Sequence, residues 1–218
     1  MKIGMKWQGA CAILLAILTG LAQAEDHTQA FIDAQALFER GLRGSEKDNE
    51  AASERFKTLT EQEPGNPLFL AYYGSTYTLM ARDALMPWKK LKLGEQGLEL
   101  IDKALRQLTA EHDHLLFRGV PVSIETRLVA INTFLKVPDL FFHRFEAGRA
   151  LLAKTMASPV FASAGAPIQA RYHFQAAAIA EAQKKRDEER DHLKRVLELD
   201  PASADAPAAR ARLKEVAA

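Results

Sequence analysis

The sequence predicts an all-α protein, and three observations carry that prediction. Apolar residues recur at intervals of three and four rather than two, which is the period of a helix face. Breakers fall at separated points: Gly44, Pro64-Gly65-Asn66-Pro67, Pro87, Gly119 to Pro121, Pro138, Ser158-Pro159, Gly165 to Pro167, Pro201 and Pro207. The segments between them have helix length, and no stretch alternates cleanly in strand fashion. Together these predict antiparallel helical hairpins joined by short turns.

The N-terminus comes first. Lys2 and Lys6 give a short positive start, and an apolar run follows from Gly9 to Ala22, broken only by Thr19. Ala22-Gln23-Ala24 then places small residues ahead of Glu25. This is the three-part pattern of a secretory signal peptide. Residues 1–24 are therefore expected to be cleaved and 25–218 to form a single helical domain. A membrane anchor is the competing reading, but a spanning helix needs about 20 apolar residues, and this run is shorter. Cys11 stands at the start of the apolar run, where a lipidated cysteine would follow it.

Composition narrows the class further. The chain has 29 basic and 28 acidic residues, and cleavage would remove Lys2 and Lys6. That balance points to no nucleic-acid partner and no acidic, disordered tail. Cys11 is the single cysteine, so an exported product could form no disulfide and would rely on packing. With 48% of residues hydrophobic, a core is available.

The helices can be placed in order. Phe31, Ala34, Leu37 and Phe38 begin the first. Leu98, Ile101, Leu105 and Leu108 form one later face, and Ile124, Leu128, Ile131 and Leu135 another. Leu193, Val196 and Leu197 mark a late helix. Pro121, Pro138 and Pro167 are expected in first helical turns, where a missing N–H costs nothing. The charged run from Gln183 to Arg195 reads as a solvated face, with Lys185–Glu189 and Asp191–Arg195 spaced to pair across a turn. A capping helix is expected at about 203–217, where Arg210, Arg212, Lys214 and Glu215 accompany Leu213 and Val216.

Parts of the chain suggest a repeat. Leu70, Tyr73-Gly74 and Tyr77 have the spacing of a first repeat helix, and Gly74 would let a neighbouring helix approach closely. Ala52, Phe56, Leu59 and Pro64 match a second helix with its terminating proline. Gly97, Ile101 and Ala104 repeat that spacing, as do Leu193, Val196 and Pro201 after an Ala-rich stretch from Tyr172 to Ala182. The chain therefore resembles the tetratricopeptide repeat family over about 48–80 and 168–201. The resemblance implies a short α-solenoid of stacked hairpins, irregular through 81–167. An insertion is expected at about 81–93, carrying Met86-Pro87-Trp88-Lys89-Lys90.

No catalytic constellation stands out. His112 and His114 flank Asp113 but would point to different helix faces, and His143, His173 and His192 stand alone in the sequence. No metal or cofactor site is expected. No Gly-x-Ser-x-Gly and no Gly-rich phosphate loop is present. Glu188-Glu189 lies in the charged run, where solvation is expected.

The family resemblance implies instead that first helices line a partner-binding groove. Carried over through Gly74, it points to Ala71, Ser75, Thr78 and Arg82, with Arg127 and Arg171 on later first helices as contacts to a carboxylate. Trp88, beside Lys89, Lys90 and Lys92, reads either as part of an exposed contact loop or as a side chain tucked between hairpins, the second being favoured. Phe141, Phe142 and Phe145 cannot all share one narrow stripe with Leu140, so an exposed apolar patch and self-association are open.

The function expected is a non-catalytic extracytoplasmic scaffold that binds a protein or peptide partner. It would act in the periplasm of a two-membrane bacterium and outside the cell otherwise, without stable membrane insertion after cleavage. A helical small-ligand-binding protein is the alternative.

Overall fold

Short turns that carry their own caps divide the chain into helices. The computed structural model describes residues 27–216; the expected signal segment and Cys11 lie outside them. Helix α1 covers 27–42. Gly44 then takes a φ of 103°, a conformation that favours glycine. Ser45 caps α2 (Glu46–Gln62) by accepting from the Asp48 N–H. The Pro-Gly-Asn-Pro turn delivers Asn66 as the cap of α3 (Pro67–Asp83), with Pro67 in the first turn. Only residues 84–86 separate α3 from α4 (Pro87–Gln107). The segment expected as an insertion, 81–93, spans the end of α3 and the start of a long α4 that begins at Pro87.

A 3₁₀ turn (Ala110–Asp113) leads into the one departure from helix among the described residues. Strands β1 (Leu116–Phe117) and β2 (Val120–Pro121) pair antiparallel. Arg118 and Gly119 connect them with φ of 52° and 77°. Two consecutive positive φ values are the signature of a type I′ hairpin turn, whose twist matches paired strands. Pro121 therefore ends a strand and precedes α5 (Val122–Lys136), outside the first helical turn where it was expected. Pro138 likewise precedes α6 (Asp139–Phe142), whereas Pro167 does sit in the first turn of α9. The remaining helices are α7 (Phe145–Met156), α8 (Pro159–Ala162), α9 (Ala166–Ala182), α10 (Arg186–Leu199) and α11 (Ala206–Val216).

The fold is all-α, and its packing pairs are consistent with stacked hairpins. The most extensive contact joins α3 to α4; α9 with α10, α2 with α3, α5 with α7, and α10 with α11 follow. The core of the first half is aromatic. Phe31 of α1 meets Phe56, Tyr72 and Phe117 edge-on at 5.0–5.6 Å, and Phe56 stacks on Tyr72 at 4.9 Å. A second cluster gathers Ile124, Leu128 and Ile131 of α5 around Tyr172 of α9. In the charged run, Lys185 pairs with Glu188 rather than with Glu189. Glu189 is buried and binds Arg212 of α11 at 2.6 Å. One residue of the expected solvated face is therefore an anchor for the last helix.

The α3–α4 crossing depends on two glycines. A Cβ on Gly74 would stand 2.7 Å from the Gly97 carbonyl oxygen, and one on Gly97 would stand 2.6 Å from that of Gly74. Helix propensity favours alanine over glycine by about 1 kcal/mol. Here the obstacle is backbone, which cannot move without shifting a helix, so overpacking outweighs propensity. Gly74→Ala is expected to destabilise the fold by a net ~1–2 kcal/mol, read as a lower urea midpoint at unchanged m-value.

Candidate functional site

Helices α1, α3, α5 and α9 present one face to a common groove. Its polar part is lined by Gln35, Phe38 and Glu39 of α1, and by Tyr72, Ser75 and Thr78 of α3. Val129, Asn132, Thr133 and Lys136 of α5, together with Arg171 of α9, complete it. The α5 residues recur at three and four, so they form a polar-tipped stripe beside the buried Ile124–Ile131 face. Ser75 and Thr133 join α3 to α5 by a hydroxyl–hydroxyl hydrogen bond of 2.7 Å. Leu42, Thr78, Leu79 and Lys136 also line an adjoining apolar cavity of about 590 Å³.

Beside the groove lies a polar knot around the buried Glu125 carboxylate. Arg118, projected by the β-turn, donates to Gln35 Oε1 at 2.8 Å and to Glu125 Oε1 at 2.7 Å. The Tyr72 hydroxyl donates to the same carboxylate oxygen at 3.2 Å and accepts from Gln35 Nε2 at 3.4 Å. The guanidinium also lies 4.5 Å from the centre of the Phe31 ring. Burial, followed by the Glu125 charge, pushes the Tyr72 phenol well above its ordinary range, so it stays protonated as a donor. Glu125 Oε2 and Asn132 Oδ1 are buried with no hydrogen-bond partner among the described residues.

Two cations, Lys136 and Arg171, share the groove with one carboxylate, Glu39. Neither the Lys136 nor the Arg171 side chain makes an ion pair or hydrogen bond with a described residue. Lys136 is solvent-accessible, yet the surrounding walls lower its pKa; Arg171 and Arg82 push the same way, and Asp205 opposes them. Asp205 is in turn held above the usual carboxylate range by burial, against the pull of Arg171 and Lys136.

The residues picked out in the sequence divide. Ser75, Thr78 and Arg171 meet in the groove, and Thr78 and Arg82 line the apolar cavity. Arg82 donates to the Gly41 and Leu42 carbonyls and to Asp83, so its guanidinium ties α3 to the end of α1. Ala71 is fully buried and offers nothing to a partner. Arg127 lies in a different cavity, with Leu105, Leu151 and Ser158, and pairs with Asp113 at 3.4 Å. Trp88 is not tucked between hairpins; it is 70% exposed on the first turn of α4. Gln35, Asn132 and Lys136 were missed. Their polar spacing was visible, but only the packing of α5 shows which of its faces opens to the groove.

His173 and His192, isolated in the sequence, meet between α9 and α10 with Nδ1 atoms 3.0 Å apart. One ring donates to the lone pair of the other. Burial, the neighbouring His192 and Arg195 lower the His173 pKa to about 4, and burial lowers that of His192. Among the described residues no three His, Cys, Asp or Glu side chains converge as a metal site, and no helix is long and apolar enough to cross a membrane. Comparison with known proteins returns no matching family model, no matching curated protein and no matching solved structure.

Two outcomes follow from this geometry. Arg118→Ala strands the buried Glu125 carboxylate and is expected to cost about 3 kcal/mol, measured by denaturant unfolding. The imidazole pair is neutral when folded, while an unfolded imidazole titrates near 6.5. Its contribution is complete above that pH and is lost as pH falls from about 6.5 towards about 4. His173→Phe should flatten the pH dependence of the melting temperature in that window.

Proposed function

We propose that this chain is a non-catalytic binding protein whose groove holds an anionic segment of a protein or peptide partner. The observation that carries this reading is the pair of cations, Lys136 and Arg171, facing a shared groove without a partner of their own among the described residues. A carboxylate placed there gains charge-assisted hydrogen bonds and relieves the mutual repulsion of Lys136, Arg171 and Arg82.

Two sequence features support the setting. The spacing at 48–80 and 168–201 resembles tetratricopeptide hairpins, whose first helices line a partner groove, and a groove lined by α1, α3, α5 and α9 supports that analogy. The signal-like start at Lys2 to Ala24 supports an extracytoplasmic scaffold, periplasmic in a two-membrane bacterium. Fold alone does not fix function, so the reading rests on the groove's chemistry.

The test is affinity capture from the source's own extracytoplasmic extract, with wild-type chain and an Arg171→Ala/Lys136→Ala double variant as baits. Loss of two charge-assisted contacts of about 1.5–3 kcal/mol each should remove the partner from the variant. Equal recovery of the same proteins on both baits would place partner binding elsewhere.

A further inference from the structure

The apolar cavity beside the groove calls for a ligand of its own. It encloses about 590 Å³ between α3, α4 and the junction of α5 with α6. That lies within the ~300–1,000 Å³ typical of small-molecule sites. Leu79, Leu91, Val137, Phe141 and Phe142 form its walls. The Phe142 ring rests directly on Gly94, whose missing side chain lets the wall close down. No Asp or Glu lines the cavity, while Arg82, Lys90 and Lys136 do. Two of these cations are already engaged: Arg82 with Asp83 and the end of α1, and Lys90 with the Arg82 carbonyl at 3.1 Å. Lys136 is the one without a partner among the described residues, and it stands where the cavity meets the polar groove.

An apolar chamber with one uncommitted ammonium at its polar end is complementary to a molecule with an apolar body and a single negative head. A neutral hydrocarbon would leave Lys136 unsatisfied. A short carboxylate would leave the walls of Leu91, Phe141 and Phe142 wet. We propose that this cavity binds a free long-chain carboxylate, its chain against Leu91, Phe141 and Phe142 and its head on Lys136. The site goes beyond the partner groove, with which it shares Lys136, Leu42, Thr78 and Leu79, and leaves Arg171 outside.

Titration calorimetry with decanoate and 1-decanol, each below self-association, tests this on the chain from residue 25 onward. Decanoate should bind once per chain and at least about tenfold more tightly than the alcohol. Lys136→Ala should erase that preference and leave the alcohol's affinity unchanged. Leu91→Glu should abolish binding of both; Leu91 is already 41% exposed, so the change is tolerated at the surface. If Leu91→Glu unfolds by circular dichroism, Phe141→Ser replaces it, that ring being 61% exposed. Arg171→Ala should hold decanoate affinity within about twofold, since its charge is screened through water, while weakening partner capture. The two sites can therefore fail separately. No decanoate binding, binding that survives Leu91→Glu or Phe141→Ser, or cosedimentation with phosphatidylglycerol vesicles in place of monomer binding would overturn the proposal.

Discussion

A guanidinium on a two-residue turn holds the first half of this fold to its middle. Arg118 enters the junction of α1, α3 and α5, where it donates to Gln35 and Glu125 and lies over the Phe31 ring. Its side chain keeps 26% of its surface in solvent while a carboxylate answers its charge. Glu125 is tolerable only because Arg118 and Tyr72 answer it. The ribbon that carries Arg118 is two residues per strand and would not stand alone. The Arg118–Glu125 pair and the Phe31–Phe117 contact hold it against α5 and α1.

That arrangement decides what the groove can do. With Glu125 consumed by Arg118, no carboxylate remains along the polar stripe of α5 to neutralise Lys136. Arg171 arrives from α9, and Asp205, which opposes both cations, is itself penalised by burial. Two cations and the single carboxylate of Glu39 therefore share a concave face in a chain whose overall charge is close to neutral. The apolar cavity next to it owes its shape to the same economy of space at α3–α4, where Gly74 and Gly97 bring backbones together, and to Gly94 beneath Phe142.

Much of the scaffold was legible in the sequence because burial repeats at helical spacing. Phe31, Ala34 and Phe38, then Ile124, Leu128 and Ile131, then Leu193 and Val196, are buried where their stripes predict. Gly74 was legible as a close approach for the same reason. The β-ribbon was not, since two-residue strands are too short to alternate; the Arg118-Gly119 pair was its one local trace. Ala71 was misjudged because α3 is buried around most of its circumference, so a polar-face assignment by spacing puts it inside the core. Arg127 lies apart from the groove because its neighbour is Asp113, brought there by the 3₁₀ turn.

The sequence by itself determined the all-α class, most of the breaks between helices, and the pairing of Gly74 with a close neighbour. Each of these follows from local period, caps and breakers, whose physics acts within a few residues. Only the tertiary structure decided which side chains share a space. Arg118 lies 83 residues from Gln35, and Tyr72 lies 53 from Glu125. Lys136 and Arg171 are met as a pair only where α5 and α9 flank one groove. Charge at that distance along the chain carries no periodic signal, and the meeting of His173 with His192 carries none either. Their juxtaposition is set by how the helices pack, and the chemistry of the site begins there.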